Sequence, residues 1–223
     1  MEFLRVAAFA ALGLAGGLAI VRWQHLLYRD QEHRRERLRG GRLRLYQLIG
    51  GVAGAAIAAL ALRPGHYDAG PAAITAIFGF VLLTLSTTDF ERRIIPDRLS
   101  YPAILLAAAL CWAWPDRSAA AIFGGAAFAV GVAALLFGAG LAVGAVLRIR
   151  GVPFGLGDVK LIVLIGLLTG WPAVASALLI GVVVAGLPSL ALMVSGRSRA
   201  VFAYGPYLAA GGLVVLLFPA NFV

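Results

Sequence analysis

Eight stretches of this chain carry almost no charge: residues 3–21, 45–62, 71–88, 99–114, 119–147, 159–170, 172–194 and 201–219. A membrane helix needs about 20 mostly apolar residues, with a range of roughly 17–25. In lipid every backbone N–H and C=O must find its partner inside the segment, and a helix does this. The expected architecture is all-α: a polytopic helical membrane protein with about eight transmembrane helices. The fifth run is long, the sixth is short, and their successor begins softly at Trp171-Pro172, so seven spans is the neighbouring count. Composition agrees. The chain is 61% hydrophobic and 13% charged, where a soluble domain is about half apolar and a quarter charged. No A-x-A cleavage site followed by a soluble domain follows the first run, which therefore reads as a retained helix.

Charge gives an orientation. Loops rich in Lys and Arg stay cytoplasmic. With eight spans, 16 of the 19 basic residues fall on one side, leaving Arg5, Arg63 and Arg117 on the other. The four basic loops are then cytoplasmic and both termini lie outside. The net charge of +9 points to anionic membrane lipid as a partner rather than to nucleic acid. The largest polar segment, 22–44, is arginine-rich with interleaved acids. It reads as a solvated, partly helical segment touching headgroups, with substrate docking as the sharper alternative.

Metal and thiol chemistry find little support. Cys111 is the one cysteine, too few for a disulfide or a four-thiolate zinc site, and it reads as a small packing residue. His25 and His33 lie eight apart with no cysteine nearby. Neither a metal nor a cofactor is expected. Glycines four apart, at Gly13 and Gly17, Gly50 and Gly54, and Gly140 and Gly144, read as close helix packing.

The acids carry the chemistry. Of the ten, Asp30, Glu32 and Glu36 belong to the first loop, and Glu2, Asp68 and Asp116 to the outer side. Asp89, Glu91, Asp97 and Asp158 remain, all at cytoplasmic ends of helices. Asp89 closes "GFVLLTLSTTD", where an interfacial anchor competes with a functional role. Asp158 follows Gly155-Leu156-Gly157. Glycines there allow an unusual bend, and a helix N-terminus favours an ionised carboxylate, so a plain helix cap is its competitor. Two aspartates on one membrane face suggest water-activated peptide hydrolysis. Neighbouring carboxylates do not both ionise easily, so one draws a proton from water while the other polarises the carbonyl. A serine mechanism fares worse: G-x-S-x-G is absent, and His25, His33 and His66 lie in or beside loops.

"TDFERRIIPDRLSYP" (88–102), "FGLGDVKLI" (154–162) and "RAVFAYGPYLAAGGL" (199–213) resemble three signature segments of the type IV prepilin peptidases, in order and spacing across residues 45–219. The resemblance implies an aspartic endopeptidase of the GxGD type that cleaves type IV prepilin-like precursors at the cytoplasmic membrane face. Such precursors have a short basic leader and an apolar N-terminal helix. By that match Asp89 and Asp158 are the catalytic pair. Asp97, after Pro96 in the I-P-D element, is structural or substrate-orienting. Gly155 and Gly157 shape the Asp158 turn, and Gly205 and Pro206 open the third segment. Lys160 is either a tuner of Asp158 or a headgroup anchor. The chain divides into a first helix with its basic loop, 1–44, and a membrane-embedded peptidase unit, 45–223.

One departure bears on activity. Longer bacterial members carry paired C-x-x-C motifs between their first two spans, in a domain linked to N-methylation by S-adenosylmethionine. Here the loop 22–44 has no cysteine, so peptidase activity without methylation is expected. A presenilin-like intramembrane protease shares G-x-G-D. It usually pairs tyrosine with its first aspartate, where this chain has Thr88-Asp89. A small proton-coupled transporter or assembly factor predicts acids deep in spans and an internal repeat, and neither is visible.

Overall fold

The computed structural model describes residues 2–29, 32, 38–65, 67–147, 155–194 and 203–222. His33, His66 and the segment 151–154 lie outside them. The described residues form eight α-helices: α1 (Glu2–Trp23), α2 (Gly40–Ala61), α3 (Ala69–Arg92), α4 (Asp97–Ala109), α5 (Ala119–Leu147), α6 (Leu156–Thr169), α7 (Ala173–Val194) and α8 (Gly205–Leu217). Short 3₁₀ turns follow α1 (Gln24–Leu27) and α8 (Pro219–Asn221).

The helix count matches the eight apolar runs, but the runs are not equal. Five helices, α1, α2, α3, α5 and α7, are long and apolar enough to cross a membrane. The other three have 13, 14 and 13 residues. At 1.5 Å per residue such helices span about 20 Å, short of a hydrocarbon core of about 30 Å. The helices within the expected spans 99–114, 159–170 and 201–219 are thus shorter than the runs that contain them.

For α6 the reason is burial inside protein. Leu161, Ile162, Leu164, Ile165, Leu167 and Leu168 are all nearly inaccessible, and α4, α5, α7 and α8 pack around the helix. It is apolar on every face because other helices, not lipid, surround it. Gly166 and Gly125 admit the backbone of α5, since a Cβ at Gly166 would meet the Ala129 Cβ at 2.6 Å.

The run 99–114 stops early because the chain turns back after Ala109. Trp114 is buried and its Nε1–H donates to Thr75 Oγ1 at 2.9 Å. Arg117, counted on the outer side by sequence, turns its side chain inward. Its Nη1 donates to the Leu168 carbonyl and its Nη2 to the Tyr67 hydroxyl at 3.0 Å, while Tyr67 donates to Asp116 at 2.8 Å. A cation thus satisfies an orphan carbonyl in the last turn of α6.

The glycine spacing of α1 and α2 does what it suggested. A Cβ at Gly13 or Gly17 would collide with the carbonyls of Gly54 or Gly50, so the two backbones are in direct contact there. Cys111 packs against the main core.

Candidate active site

The site is assembled at one end of α3, α4, α6 and α8. Helix α3 ends one turn past Asp89. Arg93 takes a left-handed conformation (φ 55°) and its N–H closes on the Asp89 carbonyl at 2.7 Å. That is a common way to stop a helix. The chain then runs extended to Pro96, the N-cap of α4, whose carbonyl accepts the N–H groups of Leu99 and Ser100 at 3.1 and 3.0 Å. The I-I-P-D element thus begins in a four-residue link (Arg93–Pro96) between two helices.

Asp89 is buried, 5% exposed. Its Oδ2 accepts the N–H of Gly205 at 3.1 Å. Gly205 opens α8 and Pro206 follows in its first turn, where a missing N–H costs nothing. The positive end of α8 therefore points at the carboxylate. A Cβ at Gly205 would stand 2.5 Å from Asp89 Oδ2 and 2.8 Å from its Cγ, so only glycine lets the two segments approach this closely.

Asp158 occupies the first turn of α6, three residues after the N-cap Gly155. Its Oδ2 accepts the Gly155 N–H at 3.2 Å. The capping role is therefore real, and Asp158 also stands at the positive end of its own helix. Gly157 fits beneath the I-I-P-D link, where a Cβ would lie 3.1 Å from the Ile95 Cβ. Two helix N-termini, those of α6 and α8, and the C-terminal turn of α3 thus converge on two carboxylates.

Lys160 does not turn to Asp158. Its Nζ pairs with Asp97 Oδ1 at 2.5 Å and lies 4.5 Å from the centre of the Tyr101 ring. It ties the start of α6 to the start of α4, and so the segment bearing Asp158 to the one that follows Asp89.

Sequence reasoning missed the surroundings of Glu91. Gln24 Nε2 donates to Glu91 Oε2 at 2.5 Å, and the Tyr28 hydroxyl donates to the same oxygen at 2.7 Å. Arg92 Nε lies 3.3 Å from Oε1. Gln24, His25 and Tyr28 are all buried, so the beginning of the arginine-rich loop is folded core rather than solvated chain. Burial and the Glu91 hydrogen bond push the Tyr28 phenol well above its ordinary value, which keeps it a donor. The one hint in the sequence was Glu91 itself, an acid at a helix end without an assigned task.

Two carboxylates at helix ends, one buried and one half-buried, are the groups that can activate a water and polarise a carbonyl. Among the described residues, no group of three or more His, Cys, Asp and Glu side chains is placed to hold a metal ion.

Residues 76–190 match the sequence model of the type IV leader peptidase family. Two curated proteins of Burkholderia pseudomallei, from strains 1026b and K96243, are each 32% identical to this chain over 191 residues. Both are named "Prepilin leader peptidase/N-methyltransferase". The aligned region covers 82% of this chain and 57% of each relative, so the chain spans somewhat over half of their length. No solved structure gives a significant match.

Proposed function

The chain belongs to the type IV leader peptidase family, and on that premise we propose that it is a membrane aspartic endopeptidase that removes leader peptides from type IV prepilin-like precursors. Asp89 and Asp158 are the catalytic residues. The ionised carboxylate takes a proton from water, the other hydrogen-bonds to the scissile carbonyl, and the resulting hydroxide adds to the carbonyl carbon. The proton then passes to the departing amine. Gly205 and the start of α8 hold Asp89, Gly155 and Gly157 shape the approach of Asp158, and the Lys160–Asp97 pair with Pro96 fixes the distance between the two segments.

The observation that supports this reading is the hydrogen bond of Gly205 to Asp89, on a helix, α8, that also packs against α6, whose first turn carries Asp158. Gly205 and Asp89 are 116 residues apart. The arginine count supports a cytoplasmic active site in the cytoplasmic membrane of a bacterium or archaeon. Residues 45–223 carry the catalytic groups, and 1–44 pack onto them through α2 and Glu91. The loop 22–44 has no cysteine, and the proposed activity is cleavage without methylation.

Co-expression with a pilin-type precursor in a host lacking its own leader peptidase tests both parts. Mass spectrometry of the product should show the leader removed and an unmethylated amino terminus. An intact precursor would defeat the peptidase reading, and one added methyl dependent on this chain would defeat the second part.

A further inference from the structure

We propose that Glu91 is a positioning residue for Asp89: its carboxylate, gripped by Gln24 and Tyr28, holds the last turn of α3 in the place that sets Asp89. The consequence for cleavage rests on the peptidase reading above, whereas the grip itself does not.

The last turn of α3 needs holding. Helix ends leave backbone groups without intrahelical partners and are the first parts to open. Asp89 lies close to the end of α3 at Arg92, and the left-handed Arg93 follows. The Arg93 N–H closes on the Asp89 carbonyl, and the chain then leaves the helix as an extended link. From α8, the Gly205 N–H holds the Asp89 side chain. One such contact fixes a point, and a helix end can still tilt or unwind about a point.

Glu91 supplies a second one. It follows Asp89 by two residues, which places it about 200° around the helix, on the opposite flank. Its side chain is 5% exposed. Oε2 accepts from Gln24 Nε2 at 2.5 Å and from the Tyr28 hydroxyl at 2.7 Å, and Oε1 accepts from Arg92 Nε at 3.3 Å. Both carboxylate oxygens are engaged, so the side chain is fixed in orientation as well as place. The two remote partners, Gln24 and Tyr28, are buried, and the 3₁₀ turn Gln24–Leu27 packs against α3. On the residue between the two acids, the Phe90 ring meets the Tyr46 ring of α2 at 5.9 Å. The end of α3 is thus held by α8 on one flank and by the segment after α1 on the other.

Stability alone would not call for an acid here. A buried carboxylate loses its hydration, and apolar residues of similar volume are often as stabilising or more so. What the carboxylate provides is direction, because hydrogen bonds to a charged acceptor are short and strong.

The test uses the purified full chain in proteoliposomes with a pilin-type precursor. Glu91→Leu should lower kcat by about 10²-fold, the loss that follows a displacement of about 1 Å near reacting groups, with KM unchanged. Glu91→Leu combined with Gln24→Leu and Tyr28→Phe removes the acceptor and both remote donors together, which can be nearly neutral for stability. Its thermal unfolding midpoint should lie close to that of the unmodified protein while kcat stays low. Glu91→Gln, which returns an acceptor oxygen, should recover part of the rate. A normal kcat in Glu91→Leu, a loss expressed in KM, or rates that merely follow the unfolding midpoint through the series would overturn the proposal. Hydrogen exchange reads the grip apart from cleavage. In Glu91→Leu the amides of Phe90, Glu91, Arg92 and Arg93 should exchange faster, with those of Leu82, Leu83 and Leu85 unchanged, and equal protection at both places would also overturn it. If the unmodified protein cleaves no precursor, the peptidase reading fails while the exchange measurement still decides the grip.

Discussion

Asp89 and Asp158 are held by opposite means. Asp89 is held at a distance in sequence: the N–H that meets it belongs to Gly205 on α8, and burial surrounds it. Asp158 is held locally, by the N–H of Gly155 three residues before it, and it is half-buried. The first arrangement exists only when α3 and α8 are packed. The second needs one turn of α6. A carboxylate fixed by tertiary contact keeps its position against the core, while one fixed by its own turn can face water and substrate.

Substitutions graded by size separate the two arrangements. Replacing either carboxylate should have the largest effect. Asp89→Asn and Asp158→Asn are each expected to lower cleavage of a pilin-type precursor by about 10²–10⁴-fold, the range acid–base groups supply. Each variant keeps a side-chain oxygen for its backbone N–H, so insertion and folding, checked by protease resistance in membranes, should be normal. Gly205→Ala comes next. Its Cβ would stand 2.5 Å from Asp89 Oδ2, and a displacement of about 1 Å near reacting groups costs about 10²-fold. A kinetic assay should therefore find a loss approaching that of the aspartates. Lys160→Met follows. The pair it breaks joins α6 to α4, but Asp97 is half-exposed. Exposed ion pairs contribute about 1 kcal/mol or less, so unfolding measurements should show a shift of that order with a modest loss of turnover. Gly155→Ala is the smallest. A Cβ there lies 3.6 Å from Asp158 Oδ2, an ordinary contact, and backbone φ at −82° suits any residue. Near-normal cleavage is expected. A Gly155→Ala loss as large as that of Gly205→Ala would erase the contrast between the two aspartates.

The parts that could be read in the sequence are those set by short patterns. Asp89, Pro96-Asp97, Gly155-x-Gly157-Asp158 and Gly205-Pro206 each sit in a local motif, and the structure brings them to one end of four helices. Helix lengths were harder. Hydropathy cannot tell an apolar residue facing lipid from one facing protein, so α6, enclosed on all sides, looked like a short span. The inward turn of Arg117 was not legible because nothing in its neighbours reveals the Leu168 carbonyl it closes. Gln24 and Tyr28 were hidden for the same reason. Their partner, Glu91, is more than 60 residues away, and they begin a stretch whose arginines suggest solvent.

The central claim is that Asp89 and Asp158 work as one unit, and a double-substitution cycle tests it most directly. Cleavage of a pilin-type precursor is measured for Asp89→Asn, Asp158→Asn and the combined variant in the same membranes. Groups that act together are strongly non-additive, so the combined variant should be no slower than the slower of the two single ones. Cleavage near normal in either single variant, or losses that multiply in the combined one, would contradict the account.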